Sequence, residues 1–271
     1  MKMLNLKESD LDFVIETVDY KLIPRKEAIK SDPAIIEAML DKENEKLFIR
    51  LMSEEEVLLK ISPRLLFDIL LRRTREELKK ATYTTERIGS QELPVFDPNQ
   101  VVKLLAQKAI LEYLIDMLSS FTRIESFVIP VRVRKGIWRK IRFNDMDVDS
   151  LIRFCEAVDE EHRFGFYKRI ADVCLFILGV FPEYVLWDYR YPPGELRPKI
   201  SGRLRRSAEE YEEEGRKFYQ LAAEHQTAKV INLDEVFWQL HEKFNLAKKP
   251  LNFISQHYLH FKKEKMFDVG T

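Results

Sequence analysis

Glycine, cysteine and long apolar runs are all in short supply. Eight glycines in 271 residues leave little material for a phosphate-cradling loop or for the many tight turns of an all-β fold, because both draw on glycine's access to positive φ. Two cysteines, Cys155 and Cys174, make no disulfide framework, so a reducing cytoplasm is the simpler setting. No stretch reaches the length of an apolar membrane span, and the start MKMLNLKESDLDF lacks the apolar block of a secretion signal. A soluble, cytoplasmic protein with no membrane partner is expected. An excess of one charge is missing too: 45 basic residues stand against 45 acidic ones. The whole molecule therefore exerts no pull on nucleic acid or anionic lipid, and any electrostatic role has to sit in a local patch. GxSxG, GxGxxG, a Walker loop, HExxH and the kinase set are all absent. That turns the expectation away from catalysis, while a site dispersed along the chain stays open.

What is present is helix. Tyr167 to Phe181 reads YKRIADVCLFILGVF, and from Ala171 onward every residue but Asp172 and Gly179 is apolar. A surface helix has one apolar stripe, whereas a helix apolar all round has protein on every side. At about 1.5 Å per residue the run covers only about half of a ~30 Å hydrocarbon core. It reads as a buried central helix ended by Pro182.

Residues 9–60 read as short amphipathic helices: Ser9 with Asp12 suggests a capping pair, Asp32-Pro33 a helix start, and Ser53 with Glu56 another. Ser62-Pro63 opens a longer helix with Leu65, Leu66, Ile69 and Leu70 on one face. Toward its end stand Arg72, Arg73, Arg75, Lys79 and Lys80, cations that complement a helix dipole. Residues 83–96 lose the helical period, with Gly89-Ser90 suited to a turn and Pro94 to an edge strand, so a small hairpin is expected. Asp97-Pro98 restarts a helix that runs on through Leu118.

Residues 127–143, FVIPVRVRKGIWRKIRF, suggest a second hairpin. With Arg134, Lys135 and Gly136 as a three-residue loop, Ile129, Val131, Val133, Ile137, Ile141 and Phe143 share one face, spoiled by Arg139. Arg132, Arg134, Trp138, Lys140 and Arg142 share the other. A two-residue loop mixes apolar and basic residues on both faces, so burial selects the longer one. Residues 182–206 carry four prolines and two glycines and read as a crossing loop or linker. Beyond it, Ser207 with Glu210 suggests a capping box for a helix to about Thr227, Asn232 with Glu235 a cap for the next, and Pro250 the start of the last.

ISPRLLF at 61–67, YTTER at 83–87, PVFD at 94–97, MLSSFTR at 117–123 and RIADVCLFILGVFPE at 169–183 together resemble an uncharacterised family of bacterial helical proteins. The resemblance covers about residues 60–183 and implies a helical fold without an activity to carry over. YEEEGRKFYQLAAEH also looks faintly like one helix of a tetratricopeptide repeat, without a second copy at the matching period.

Three groups of residues are candidates for chemistry. Asp172 lies in the apolar part of the central helix and needs a cationic partner there, with Arg169, Arg153 or Arg163 in reach. It reads as either a structural ion pair or an acid–base group in a cleft. Glu156, Asp159 and His162 are the nearest approach to a metal site, since Asp159 and His162 have the i, i+3 spacing of carboxylate-bridged di-metal bundles, but no second carboxylate–histidine pair follows. His257 and His260 lie on an amphipathic terminal helix and do not complete a zinc site. The basic residues Arg132, Arg134, Lys140 and Arg142 of the hairpin, on the face they share with Trp138, together with Arg197, Lys199, Arg203, Arg205 and Arg206 of the loop, are the main electrostatic feature. They suit phosphates, with Trp138 or Trp187 as a stacking platform, or equally form an ordinary solvated face.

The expectation is a mainly α, multi-helix bundle around a buried helix at about 167–181, with one or two small β-hairpins at about 83–96 and 127–143. A core domain at 1–190, a linker at 191–206 and a three-helix segment at 207–271 are expected. The leading functional reading is a non-catalytic binding or regulatory protein, with a protein partner or self-association. Nucleic-acid binding comes second, and a metal- or acid–base-dependent enzyme around Asp172 and His162 third. No cofactor is predicted.

Overall fold

The computed structural model describes residues 6–88, 91–95, 97–123, 126–134, 137–185, 206–259 and 263–267. The fold is mainly α: α1 (Glu8–Val18), α2 (Lys26–Lys30), α3 (Pro33–Lys42), α4 (Asn44–Ser53), α5 (Glu55–Lys60) and α6 (Pro63–Leu78) precede a hairpin of β1 (Thr84–Ile88) and β2 (Gln91–Val95). Helices α7 (Pro98–Leu105) and α8 (Lys108–Ser120) lead to a second hairpin, β3 (Ser126–Arg134) with β4 (Ile137–Asn144). Then come α9 (Val148–Ala157), α10 (Phe164–Val180), α11 (Ala208–Glu224), α12 (Gln226–Val230), α13 (Asp234–Glu242), α14 (Phe244–His257) and α15 (Lys263–Met266). Among the described residues no helix is long and apolar enough to cross a membrane.

The chain divides into two compact units, 1–84 with 95–119, and 85–94 with 120–271. The block expected at 1–190 is thus shared between both. The expected linker lies outside the described residues apart from Arg206, whose guanidinium pairs with Asp149 at 2.7 Å.

In the first unit α6 is the buried element, with Leu65, Phe67, Ile69, Leu70 and Leu71 fully enclosed. Its N-cap is Ser62, whose hydroxyl accepts from Leu65 N at 3.2 Å. The cap is itself held by Asp10, fully buried, which accepts from Ser62 N at 2.7 Å and Ser62 Oγ at 2.6 Å. Asp10 also accepts from Lys7 N at 2.9 Å, so it takes the capping role expected of Ser9 and Asp12. Asp12 instead pairs with Lys26 and Lys30. Asp32 does cap α3, accepting from Ala34 N at 2.9 Å.

The basic end of α6 departs from expectation. Arg72 is 2% exposed and donates to Asp68 at 2.5 Å, to Asp41 at 2.5 Å and to Glu37 at 2.6 Å. Arg75 adds a bond to Asp41 at 2.6 Å, and Lys108 one to Glu37 at 2.8 Å. These cations answer specific carboxylates, buried Asp68 of α6 and the more exposed Glu37 and Asp41 of α3, and do not merely complement a dipole.

In the second unit α10 is the central helix. Every residue from Ile170 to Val180 is buried, Asp172 and Gly179 included. Helices α9, α11 and α14 pack on it. Phe176 stacks on Phe121 with ring centroids 4.1 Å apart and meets Phe267 and Phe181 edge-on or tilted at 4.9 and 5.6 Å. At the C-terminal end the carbonyls left without helical partners are taken by other helices. Asn252 donates to Leu178 O at 2.8 Å and Gly179 O at 2.6 Å, and Ser255 Oγ to Val180 O at 2.6 Å.

Gly215 lets α11 approach that closely. A Cβ there would stand 2.5 Å from Phe244 Cε2 and 3.0 Å from Cys174 Cβ, and Phe244 is fully buried. Gly215→Ala gains about 1 kcal/mol in helix propensity but overpacks a closed site at a cost of about 1–3 kcal/mol. A net fall in the denaturant midpoint with unchanged m-value is expected; a rise would show that the ring has room to yield.

Two further caps differ from the sequence reading. Asn232 sits at φ 57, a left-handed residue ahead of α13, and makes no cap to it. Pro250 lies inside α14 instead of opening it, flanked by buried Lys249 and Leu251. An interior proline costs about 3 kcal/mol in an isolated helix, a penalty that packing against α10 offsets here.

Strands β3 and β4 confirm the second hairpin. Their pairs run Ser126↔Asn144, Ile129↔Ile141, Pro130↔Lys140 and Arg132↔Trp138, the register that the three-residue loop requires. At the tip it slips: Arg134 faces Ile137 across an irregularity after Arg132, where Val133 was expected opposite Ile137. Lys135 and Gly136 lie outside the described residues.

Candidate functional site

Helix α10 delivers Asp172 into the interior at 0% exposure. Lys168, four residues earlier and so on the same helix face, donates to its Oδ2 at 2.6 Å. Tyr219 of α11, itself fully buried, donates its hydroxyl to Oδ1 at 2.9 Å. The Ser207–Glu210 capping box starts α11 as the sequence predicts, with Glu210 N donating to Ser207 Oγ at 3.1 Å and Ser207 N to Glu210 Oε2 at 2.6 Å. That start sets the phase that brings Tyr219 to the carboxylate.

Of the partners expected for Asp172, Arg153 is exposed, and Arg169 and Arg163 are engaged elsewhere. Arg169 bonds Asp145, donates to Ser120 Oγ at 2.9 Å and lies 3.9 Å from the Phe121 ring centroid. Arg163 donates to Val158 O at 2.9 Å and Glu160 at 3.0 Å. With both oxygens bonded and no exposed surface, Asp172 has the surroundings of a structural anchor, not of a group that meets a substrate. Removing the Tyr219 hydroxyl with Tyr219→Phe leaves a buried charged acceptor one donor short, which is expected to cost about 1.5–3 kcal/mol. An unchanged urea midpoint would mean that Lys168 suffices alone.

His162 does not join Asp172. It is exposed ahead of α10, and Asp172 lies eight residues into that helix, about 12 Å along its axis at 1.5 Å per residue. Glu156, Asp159 and His162 are all exposed, and α9 ends at Ala157, so Glu156 does not share a helix with Asp159 and His162. Among the described residues no three histidine, cysteine or acidic side chains are grouped as metal ligands.

Glu160 is used structurally: both its carboxylate oxygens lie 3.0 Å from the Tyr167 hydroxyl. Its carbonyl meets His225 Nε2 at 3.0 Å. His225 Nδ1 accepts from Thr227 N at 3.1 Å, which leaves Nε2 as the ring nitrogen that donates to that carbonyl. His257 stacks on Phe253 at 4.1 Å, and His260 lies outside the described residues. Burial pushes the thiols of Cys174 and Cys155 up, so neither is a ready nucleophile.

The remaining candidates concern binding. Arg203, Arg205, Arg197, Lys199 and Trp187 lie outside the described residues. On the ribbon, the register sets Arg132 opposite Trp138, Pro130 opposite Lys140 and Val128 opposite Arg142. These are alternate rungs and share one face of the pleat. Arg134, expected with them, is put out of step by the slip at the tip. In the two-stranded sheet each strand pairs only with the other among the described residues. The group that sequence reasoning missed is the Arg72 cluster. Asp68 and Arg72 are spaced i, i+4 and legible as a pair, but Glu37 and Asp41 lie more than thirty residues earlier. No family model, no curated protein and no solved structure matches the chain.

Proposed function

We propose that the protein is a non-catalytic binding or regulatory protein that presents the β3–β4 ribbon to an anionic partner. The observation that carries the reading is the ribbon's register, which gathers Arg132, Lys140 and Arg142 with Trp138 on alternate rungs of a two-stranded sheet. Asp172, the strongest acid–base candidate, supports it by being enclosed and already bonded. Two buried free thiols fit a reducing, cytoplasmic setting.

A chain of zero formal net charge should pass a sulfonate cation exchanger at neutral pH unless its positive charge is concentrated. Retention at low salt is expected, with markedly earlier elution when Arg132, Lys140 and Arg142 are all replaced by glutamine. Unretained wild-type protein, or co-elution of the triple variant with it, would remove the reading.

A protein partner or second copy is the alternative. It is favoured by Val230, Ile231 and Trp238, which stay exposed around the turn into α13. Sedimentation over a concentration series checks it, with Trp238→Ser expected to dissociate any assembly that forms.

A further inference from the structure

We infer that the ribbon's partner is single-stranded nucleic acid, an inference that rests on the ribbon being the docking surface. From Ser126 to Asn144 the chain holds six basic residues and no acid, within a protein whose charges balance overall. The rungs Arg132↔Trp138, Pro130↔Lys140 and Val128↔Arg142 follow one another along one face. Positions two apart on a strand stand about 6.6–6.8 Å apart, close to the repeat of an extended sugar–phosphate backbone. A strand laid along β4 therefore meets Lys140 and Arg142 at its own phosphate spacing, with Arg132 across the ladder.

Trp138 decides between polyanions. Carboxylates of an acidic peptide are satisfied by cations alone and make no use of an aromatic ring on the same face. A duplex keeps the faces of its bases inside its own stack. An unpaired strand offers both phosphates and free base faces, and a cationic track joined to an aromatic platform is how such strands are held without regard to sequence.

The test is fluorescence anisotropy of labelled oligo(dT), oligo(U), a duplex of equal length and polyglutamate, titrated with the full chain at low and at raised salt. Both single strands are expected to bind, more tightly than the duplex and polyglutamate. The logarithm of affinity should fall linearly with that of salt, by about 0.7 per phosphate neutralised. Arg132→Gln or Lys140→Gln should lower that slope by about 0.7. Trp138→Ala should weaken binding about tenfold or more, while Trp138→Phe, which keeps a ring, separates lost stacking from lost folding by staying near wild type. Binding of only oligo(dT) or only oligo(U) supports the inference and identifies the sugar. Binding of polyglutamate but of neither oligonucleotide overturns it and leaves the proposed function standing. Equal binding of duplex and single strand with Trp138→Ala indifferent also overturns it. Binding of none of the four overturns both.

Discussion

Replacing Arg72 by methionine is expected to cost the first unit about 3–5 kcal/mol, because it leaves a buried carboxylate without its counter-charge. Asp68 is 1% exposed and bonded to Arg72 Nε at 2.5 Å, and Glu37 and Asp41 take the other guanidinium nitrogens. A planar fork with several donors serves three acceptors at once. Arg72→Lys keeps the charge without the fork and should fall between the two. None of the three tryptophans, at 138, 187 and 238, falls within the residues of the first unit. The loss should therefore show first in helical circular dichroism on heating, ahead of any change in tryptophan emission. If Arg72→Met melted with wild type, the cluster would be a surface ornament.

The same cluster sets a pH dependence. Burial pushes the Glu37 carboxyl up, but hydrogen bonds from Lys108 and Arg72 outweigh it and hold the group below its ordinary range. Asp41 is likewise raised by burial and lowered more by Arg72 and Arg75. A carboxylate held low in the fold contributes stability that is complete above its unfolded value, about 4, and is lost as pH falls through its folded value. Asp68 runs the other way, because burial pushes its carboxyl up by more than Arg72 brings it back. Through Glu37 and Asp41 acid should soften the first unit below pH ~4, and Arg72→Met should flatten that part of the dependence.

Phe176→Ala is the second large effect, expected to destabilise the second unit by about 3–5 kcal/mol. The ring is fully buried and touches Phe121, Phe181 and Phe267 from three sides. Those neighbours come from the end of α8, the end of α10 and the turn after α15, so they cannot close together on the void. Phe176→Leu, which refills most of the volume, should recover about half of the loss or more. A denaturant midpoint for Phe176→Ala within error of wild type would mean that the aromatic cluster collapses freely.

Local sequence was enough for much of this. The uninterrupted apolar run around Asp172 identified α10 and its burial, since no other solution hides apolar side chains at every angle. Alternation and a loop of suitable length were enough to place the β3–β4 ladder, and Ser207 with Glu210 announced a cap whose two bonds both form. Where local signals competed with packing, packing won. Pro250 reads as a helix start because it lacks an N–H, yet it lies within α14.

By itself, then, the chain determined which segments coil, which pair, and which helix is enclosed, because these follow from the period of apolar residues along a few turns. Each buried charge has one partner four residues away on its own helix, Lys168 for Asp172 and Asp68 for Arg72, but tertiary structure alone decided which distant groups complete the set. Asp172 is met by Tyr219 across 47 residues, and Arg72 by Glu37 and Asp41 across 35 and 31. A desolvated charge must find a partner within hydrogen-bond reach, and several nearby residues could supply it on paper. Only the relative phase of separately formed helices selects which one arrives.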